Sequence, residues 1–244
     1  MASRAMNTTQ QIFPANARPG AHLTIIIPVL NERGLIATLL ASLAPFRERG
    51  VEVVVVDGGS NDDTSAAAAP GADHFLVAPS GRARQMNAGV AVAHAPVLLF
   101  LHADTQVPAS ADEMILNGLA ATGLEWGRFD VRIEGTSRWL PLVARLMNLR
   151  SRVTGIATGD QAMFMTRRAF DALGGFPDQA LMEDVELSSR LLRRGRPLCL
   201  RPPVVTSGRR WAARGVWRTI VLMWWIRLLY FFGVTPDRLV RLYP

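Results

Sequence analysis

The run Val97-Leu98-Leu99-Phe100-Leu101, stopped at once by His102 and Asp104, constrains this chain more than any other feature. An unbroken apolar stretch of strand length, introduced by Pro96, reads as a strand buried on both faces, the form that strands of a parallel sheet take. Two further runs repeat the pattern: residues 23–27, closed by Pro28, and residues 53–56, closed by Asp57. Between those two, Leu35, Ile36, Leu39, Leu40 and Leu43 recur at helical spacing until Pro45 and Gly50 end the pattern. Strand, helix, strand over such a distance is a βαβ unit, so the expected class is α/β with a largely parallel central sheet flanked by helices. In open sheets of this kind ligands bind beyond the carboxyl ends of the strands, which is where Asp57, His102 and Asp104 fall. Plain structural roles also suit these carboxylates, since Asp104 is placed to brace the turn before Pro108, and Asp62, Asp63 and Thr64 to cap the next helix.

The 244 residues suffice for one large α/β domain with a substantial core. All 27 basic residues are arginine, and the net charge of +7 suits an anionic partner: a phosphate-bearing ligand, an acidic membrane surface or nucleic acid. Cys199 is the only cysteine, which excludes an internal disulfide and fits a reducing compartment. Residues 1–22 hold no apolar run of signal-peptide length, so a disordered leader on a cytoplasmic protein is expected. There is no G-x-G-x-x-G, the glycine spacing that a dinucleotide pyrophosphate requires, and this counts against a dehydrogenase.

Residues 75–78 form a further strand candidate, followed by Gly81-Arg82-Ala83-Arg84-Gln85-Met86-Asn87-Ala88-Gly89 opening an Ala-rich helix. A helix start carrying two arginines suits a phosphate, and suits a solvated basic turn as well. Polar and apolar residues alternate over 127–133, which predicts a half-exposed strand, and residues 139–149 have helical spacing. Thr158-Gly159-Asp160-Gln161 precedes the strand candidate 162–165. Beyond the turn Leu173-Gly174-Gly175-Phe176-Pro177, Glu183 and Asp184 open another helix, where acidic residues are ordinary dipole partners.

Taken in order, Ile27-Pro28-Val29-Leu30-Asn31-Glu32, Val55-Val56-Asp57-Gly58-Gly59-Ser60, the segment from Gly81 to Gly89, Leu101-His102-Ala103-Asp104 and the G-G-F, spacer, E-D sequence resemble the motifs of family 2 glycosyltransferases. The resemblance spans residues 23–211 and implies a GT-A nucleotide-binding sandwich. It implies a nucleotide-sugar donor held by Pro28, Glu32, Asp57, Gly58 and Arg84, with Gly159 and Asp160 beside the sugar. Asp184 is implied as the catalytic base, deprotonating an acceptor hydroxyl in an inverting transfer. Asp104 is implied as the last carboxylate of a D-x-D-type site for Mn or Mg. Here the first position is His102, a ligand that suits Mn better than Mg. Near the end of the resemblance, Arg210-Trp211 match the last part of a Q-x-x-R-W motif and Arg209 precedes them, but Ser207 stands in place of the glutamine. This argues against a processive polymer synthase, while the basic pair remains suited to a diphosphate.

Two rivals stand beside this reading. A sugar-phosphate nucleotidyltransferase would carry a Gly-rich basic loop after the first strand, whereas residues 28–34 contain one glycine and one arginine. A non-catalytic nucleotide-binding module would have no need of Asp184. No nucleic-acid partner is expected on the glycosyltransferase reading.

The segment 212–244 differs from the rest. Residues 216–234 contain Trp217, Trp224, Trp225, Tyr230, Phe231 and Phe232, interrupted by Arg218 and Arg227. The uninterrupted apolar stretch is too short to span a bilayer. An aromatic, Arg-bearing helix suits a membrane surface, which would place the protein peripherally at the inner face and leave open a lipid-linked acceptor; it suits equally a helix that closes the core.

Overall fold

The computed structural model describes residues 12–13 and 20–242. Most of the expected leader therefore lies outside the described residues, and so does the side chain of Arg210. In chain order the elements are β1 (Ile12–Phe13), β2 (Leu23–Val29), α1 (Arg33–Glu48), β3 (Glu52–Asp57), α2 (Thr64–Ala68), β4 (His74–Val77), α3 (Arg82–Val92), β5 (Val97–Phe100), β6 (Thr105–Gln106), α4 (Ala111–Thr122), β7 (Trp126–Glu134), α5 (Leu140–Thr154), β8 (Phe164–Thr166), α6 (Arg167–Ala172), α7 (Glu183–Leu191), β9 (Leu198–Ser207), α8 (Arg209–Arg214), α9 (Val216–Phe231) and α10 (Pro236–Val240).

The strands form one sheet in the order β1-β4-β3-β2-β5-β8-β7-β9-β6. Strands β4, β3, β2 and β5 run parallel, in a register that pairs Val29 with Asp57 and Asp57 with Val77. β8 lies antiparallel to β5 and β7, and β9 parallel to β7. Alternation along the central strands divides the core. Ile25, Ile27, Val53, Val55 and Leu99 face α1, whose Ile36, Leu39 and Leu43 meet them. Ile26, Val54, Val56, Leu98 and Phe100 face the opposite layer, where Met86, Val90, Phe170 and Leu187 lie. The α3 helix approaches the sheet closely at Gly89, where an added Cβ would stand 2.6 Å from Ile26 Cγ2.

One element departs in part from the sequence expectation. The second half of β7 alternates as expected, with Val131 and Ile133 buried and Arg132 and Glu134 exposed, but in its first half Arg128, which alternation places at a polar position, is fully buried and paired with Asp130. Its charge is met within the protein, so polarity there does not report exposure. The ten-residue β9 reaches Ser207 through Pro202 and Pro203.

Candidate active site

Parallel packing of β3, β2 and β5 brings three polar strand ends to one edge of the sheet. The turn after β3 closes on Asp57, which is buried: its Oδ1 accepts from Gly59 N–H at 3.1 Å and Ser60 N–H at 2.9 Å, and its Oδ2 from Ser65 Oγ at 2.7 Å. Both oxygens are thus engaged by the turn itself. That turn is laced to the loop after β2, where Asn31 N–H donates to Ser60 Oγ at 2.9 Å and Asn61 N–H to Asn31 Oδ1 at 3.0 Å. Glu32 projects from the same loop, and the Arg209 guanidinium forks onto it at 2.9 and 2.5 Å. The same guanidinium reaches Asp104 Oδ2 at 3.6 Å. Hydrogen bonding to Glu32 is the main cause holding Arg209 above its ordinary pKa. Glu32, Asp104 and Arg209, far apart in sequence, therefore form one cluster.

The other predicted donor contacts are more dispersed. Pro28 lies on β2 opposite Val56. Gly58 leaves room for the Gln85 side chain, which a Cβ would meet at about 3.0 Å. Gln85 plugs the strand ends by donating to Val29 O and Val56 O, both at 2.8 Å. Arg84 is half-exposed and paired with Asp178 at 2.7 Å, and Trp211 packs on the core.

A second cluster surrounds Asp184. The 3₁₀ turn Gly159–Gln161 lies against His102, whose Nδ1 stands 3.5 Å from Asp160 Oδ1. The contact is close enough that a Cβ on Gly159 would fall 2.5 Å from His102 Nε2. Gly159 N–H donates to Asp184 Oδ2 at 2.8 Å, which fixes that carboxylate at the start of α7. The chain enters α7 through Met182 in the left-handed region, with φ of 66°. The neighbouring Glu183 is buried, and burial together with the Asp184 charge pushes its carboxyl above the usual range, with Arg82, 4.0 Å away, opposing. These residues line a cleft of about 490 Å³, counting its open mouth, with Arg227 of α9 and Met223 on the far wall.

The sequence analysis missed Arg227 as a site residue, together with Arg150 of α5. Burial and the repulsion of Arg227 lower the pKa of Arg150 to about 10, and burial likewise depresses Arg227. The one available signal was a charge interrupting an otherwise apolar helix.

Among the described residues, the one group of three histidine and carboxylate side chains close enough to share an ion is Glu52, His74 and His94. It lies at the amino end of β3, the opposite end from Asp57 and hence from the Glu32, Asp104 and Arg209 cluster. At the carboxyl edge Asp104 offers a single hard oxygen ligand, while His102 Nδ1 faces Asp160.

Residues 24–174 match the family described as Glycosyl transferase family 2. The chain belongs to that family. Among solved structures, S. aureus TarS 1–349 aligns with a TM-score of 0.60 and 17% identity, covering 77% of this chain and 60% of TarS 1–349. The mannosyltransferase PcManGT from Pyrobaculum calidifontis, in complex with GDP-Man and Mn2+, aligns at 0.55 with 24% identity over 82% of this chain and 60% of that one. Glucosyl-3-phosphoglycerate synthase from Mycobacterium tuberculosis aligns at 0.57 with 17% identity over 77% and 71%. The chain thus spans about 60% of the TarS 1–349 length. No curated protein sequence matches it. The chain has the GT-A architecture, its α/β sheet parallel over β4, β3, β2 and β5.

Proposed function

We propose that this family 2 glycosyltransferase is an inverting enzyme that moves a sugar from a nucleoside diphosphate donor to an acceptor hydroxyl, with Asp184 as the base. The observation that carries the reading is the placement of Asp184, held by Gly159 N–H in a cleft at the same sheet edge as the Glu32, Asp104 and Arg209 cluster. The acceptor oxygen attacks the anomeric carbon while the bond to the diphosphate breaks. The hydroxyl proton passes to Asp184, and the electron pair leaves with the diphosphate. Arg209 faces the charge that develops there, and Asp57 acts through the turn it shapes beneath the nucleoside. Asp104 is an oxygen ligand of the kind Mn and Mg take, and such a cation would neutralise the departing diphosphate. Related folds have been solved with Mn2+ or Mg2+, which supports that assignment. Calorimetric titration of UDP and GDP in the presence of Mn, on the parent and on Asp104→Ala, tests it. One nucleotide should bind the parent and bind the variant at least tenfold more weakly; equal affinities would remove Asp104 from the donor site.

A membrane-surface role for α9 is supported by its outer face, where Trp224 is 71%, Phe231 82% and Phe232 72% exposed. The packing of Trp217 against Trp139, the residue before α5, with ring centroids 5.1 Å apart, joins this face to the exposed Leu146, Leu149 and Val153 of α5. No helix among the described residues is long and apolar enough to cross a membrane. We therefore read the patch as lying on the interface. The protein should pellet with anionic vesicles and lose that binding in Trp224→Ser/Phe231→Ser; undiminished pelleting of the variant would refute the surface role.

A further inference from the structure

The inner face of α9 carries a different message from its aromatic outer face. Arg227 projects from it into the cleft of Asp184, and Arg150 of α5 lies behind. The Arg150 Nε and Nη2 atoms and the Arg227 Nε atom are buried and have no hydrogen-bond acceptor. No carboxylate stands within ion-pair distance of either guanidinium among the described residues, although Asp184 and Asp160 are near enough to attract Arg227. Buried guanidinium donors are ordinarily satisfied, because each one left unpaired carries a desolvation penalty. Asp184 attracts both cations, yet it pairs with neither, so a further anion between them would meet donors that the protein leaves open.

The proposed function gives the donor's diphosphate to Glu32, Asp104 and Arg209, none of which lines this cleft, while Gly159 and Asp160, beside the donor sugar on the same reading, do line it. The cleft also contains Asp184, the group that must touch the acceptor hydroxyl. Its wall also includes the apolar Leu181, Val185 and Met223 and two cations: Arg82, which stands 4.0 Å from Glu183, and Arg227, which has no carboxylate at that distance among the described residues.

We propose that the acceptor bears a phosphate or carboxylate close to its reacting hydroxyl, and that Arg227 and Arg150 hold this anion beside Asp184. The inference rests on the glycosyltransferase reading above. It makes the last helix part of the acceptor site, and it gives the two guanidiniums the planar, fork-like pairing for which arginine is suited. A free metabolite and a lipid headgroup share this chemistry.

The test is a calorimetric titration of sn-glycerol 3-phosphate, glycerate and glycerol into the free protein and into the protein with bound nucleotide, with lysophosphatidic acid in neutral detergent micelles as the lipid arm. The charged probes should bind and glycerol should not. Arg227→Gln and Arg150→Met should each weaken the charged probes by about tenfold or more, the scale of a lost charge-assisted hydrogen bond, with nucleotide affinity unchanged. Binding by lysophosphatidic acid alone would assign the anion to a lipid headgroup, and binding by the small probes to a free metabolite. Equal binding of glycerol and glycerol 3-phosphate would overturn the proposal, as would an Arg227→Gln protein that loses nucleotide and keeps the charged probes. Failure of every nucleotide would sink the donor reading separately, because the probes are also titrated without it. Thermal melting of the free proteins supplies a further readout: Arg150→Met should melt at or above the parent temperature, whereas a merely structural arginine would lower it.

Discussion

Replacing Asp184 by asparagine separates a proton acceptor from a helix-start carboxylate. In the parent, Asp184 Oδ2 accepts from Gly159 N–H at 2.8 Å and Oδ1 from Val185 N–H at 2.7 Å. Asparagine has one carbonyl oxygen, so it keeps one of these bonds and turns its amide toward the other donor, a loss of about 1 kcal/mol. Against that loss, the variant removes the negative charge that helps to raise Glu183. The two effects oppose, so stability should change by no more than about 1 kcal/mol. Chemistry should respond far more. A positioned base contributes about 10² to 10⁴ in rate, which is roughly 3 to 5 kcal/mol on the barrier. Single-turnover transfer at saturating donor is the assay, with donor affinity measured on the same protein. Glu183→Gln is the paired control, because its carboxyl is raised by burial first and by Asp184 second. A carboxyl raised in the folded state loses stability as pH climbs from its unfolded value, about 4.3, through its folded one. Glu183→Gln should therefore melt like the parent in acid and above it near neutrality. If Asp184→Asn retains near-parental transfer with unchanged donor affinity, Asp184 is not the base.

Three further perturbations follow from the packing. Gly159→Ala places a Cβ 2.5 Å from His102 Nε2 and should destabilise by about 1 to 3 kcal/mol in urea melts. Adding His102→Ala should recover most of that loss, and failure to recover it would show that the clash lies elsewhere. Asp130, whose carboxyl would be raised by burial, is instead held below its usual range by hydrogen bonds from Arg152 and Arg128. Its stabilisation is present above about pH 4 and lost as pH falls further. Asp130→Ala leaves the fully buried Arg128 guanidinium without its carboxylate and should cost about 3 to 5 kcal/mol at neutral pH, and an acid limb unchanged in the variant would contradict the assignment. Glu32→Gln should free Arg209 and lower donor affinity with the melting temperature little changed, which a thermal shift with nucleotide would read.

How much of this was legible in the sequence depends on what each residue's neighbours are. The strands ending at Val29, Asp57 and Phe100 were visible because both their faces are buried, so each apolar run is continuous. Asp104 and Asp184 were visible by position, one after a strand and one at a helix start. Arg128 was misjudged because its partner Asp130 is two residues away on the same strand, a local pairing that hides a buried charge inside an exposed-looking pattern. Arg227 was read as an interruption because its meaning lies in α7 and α5, elements remote in sequence. Asp57 appeared as a ligand-facing carboxylate, and only the fold shows that its turn engages both oxygens.

The two ends of the sheet divide stability from strain. At the amino end Glu52 is fully buried, yet hydrogen bonds from Thr24 and from the backbone and ring of His94 outweigh the effect of burial and keep its carboxyl below the usual range. Its Oε2 accepts from Thr24 Oγ1 at 2.6 Å and His94 N–H at 2.9 Å, while Oε1 faces the rings of His94 and His74 at 2.8 and 3.1 Å. β2, β3, β4 and the chain leading into β5 are thereby tied at one point. At the carboxyl end stand the three non-glycine residues with positive φ among the described ones: Asn31 beside Glu32, Ala162 after the Gly159 turn, and Met182 before Glu183. Each such conformation costs about 1 kcal/mol or more and persists only where the surroundings over-determine it. Asn31 shapes the loop that carries Glu32 to Arg209, and Ala162 and Met182 shape the two loops at the cleft, so what they fix is where Glu32, Asp160 and Asp184 stand. On the proposed function, a glycosyl transfer needs its base and its diphosphate-binding groups at set positions on either side of one carbon, and these over-determined loops are what would hold Asp184 and Glu32 there.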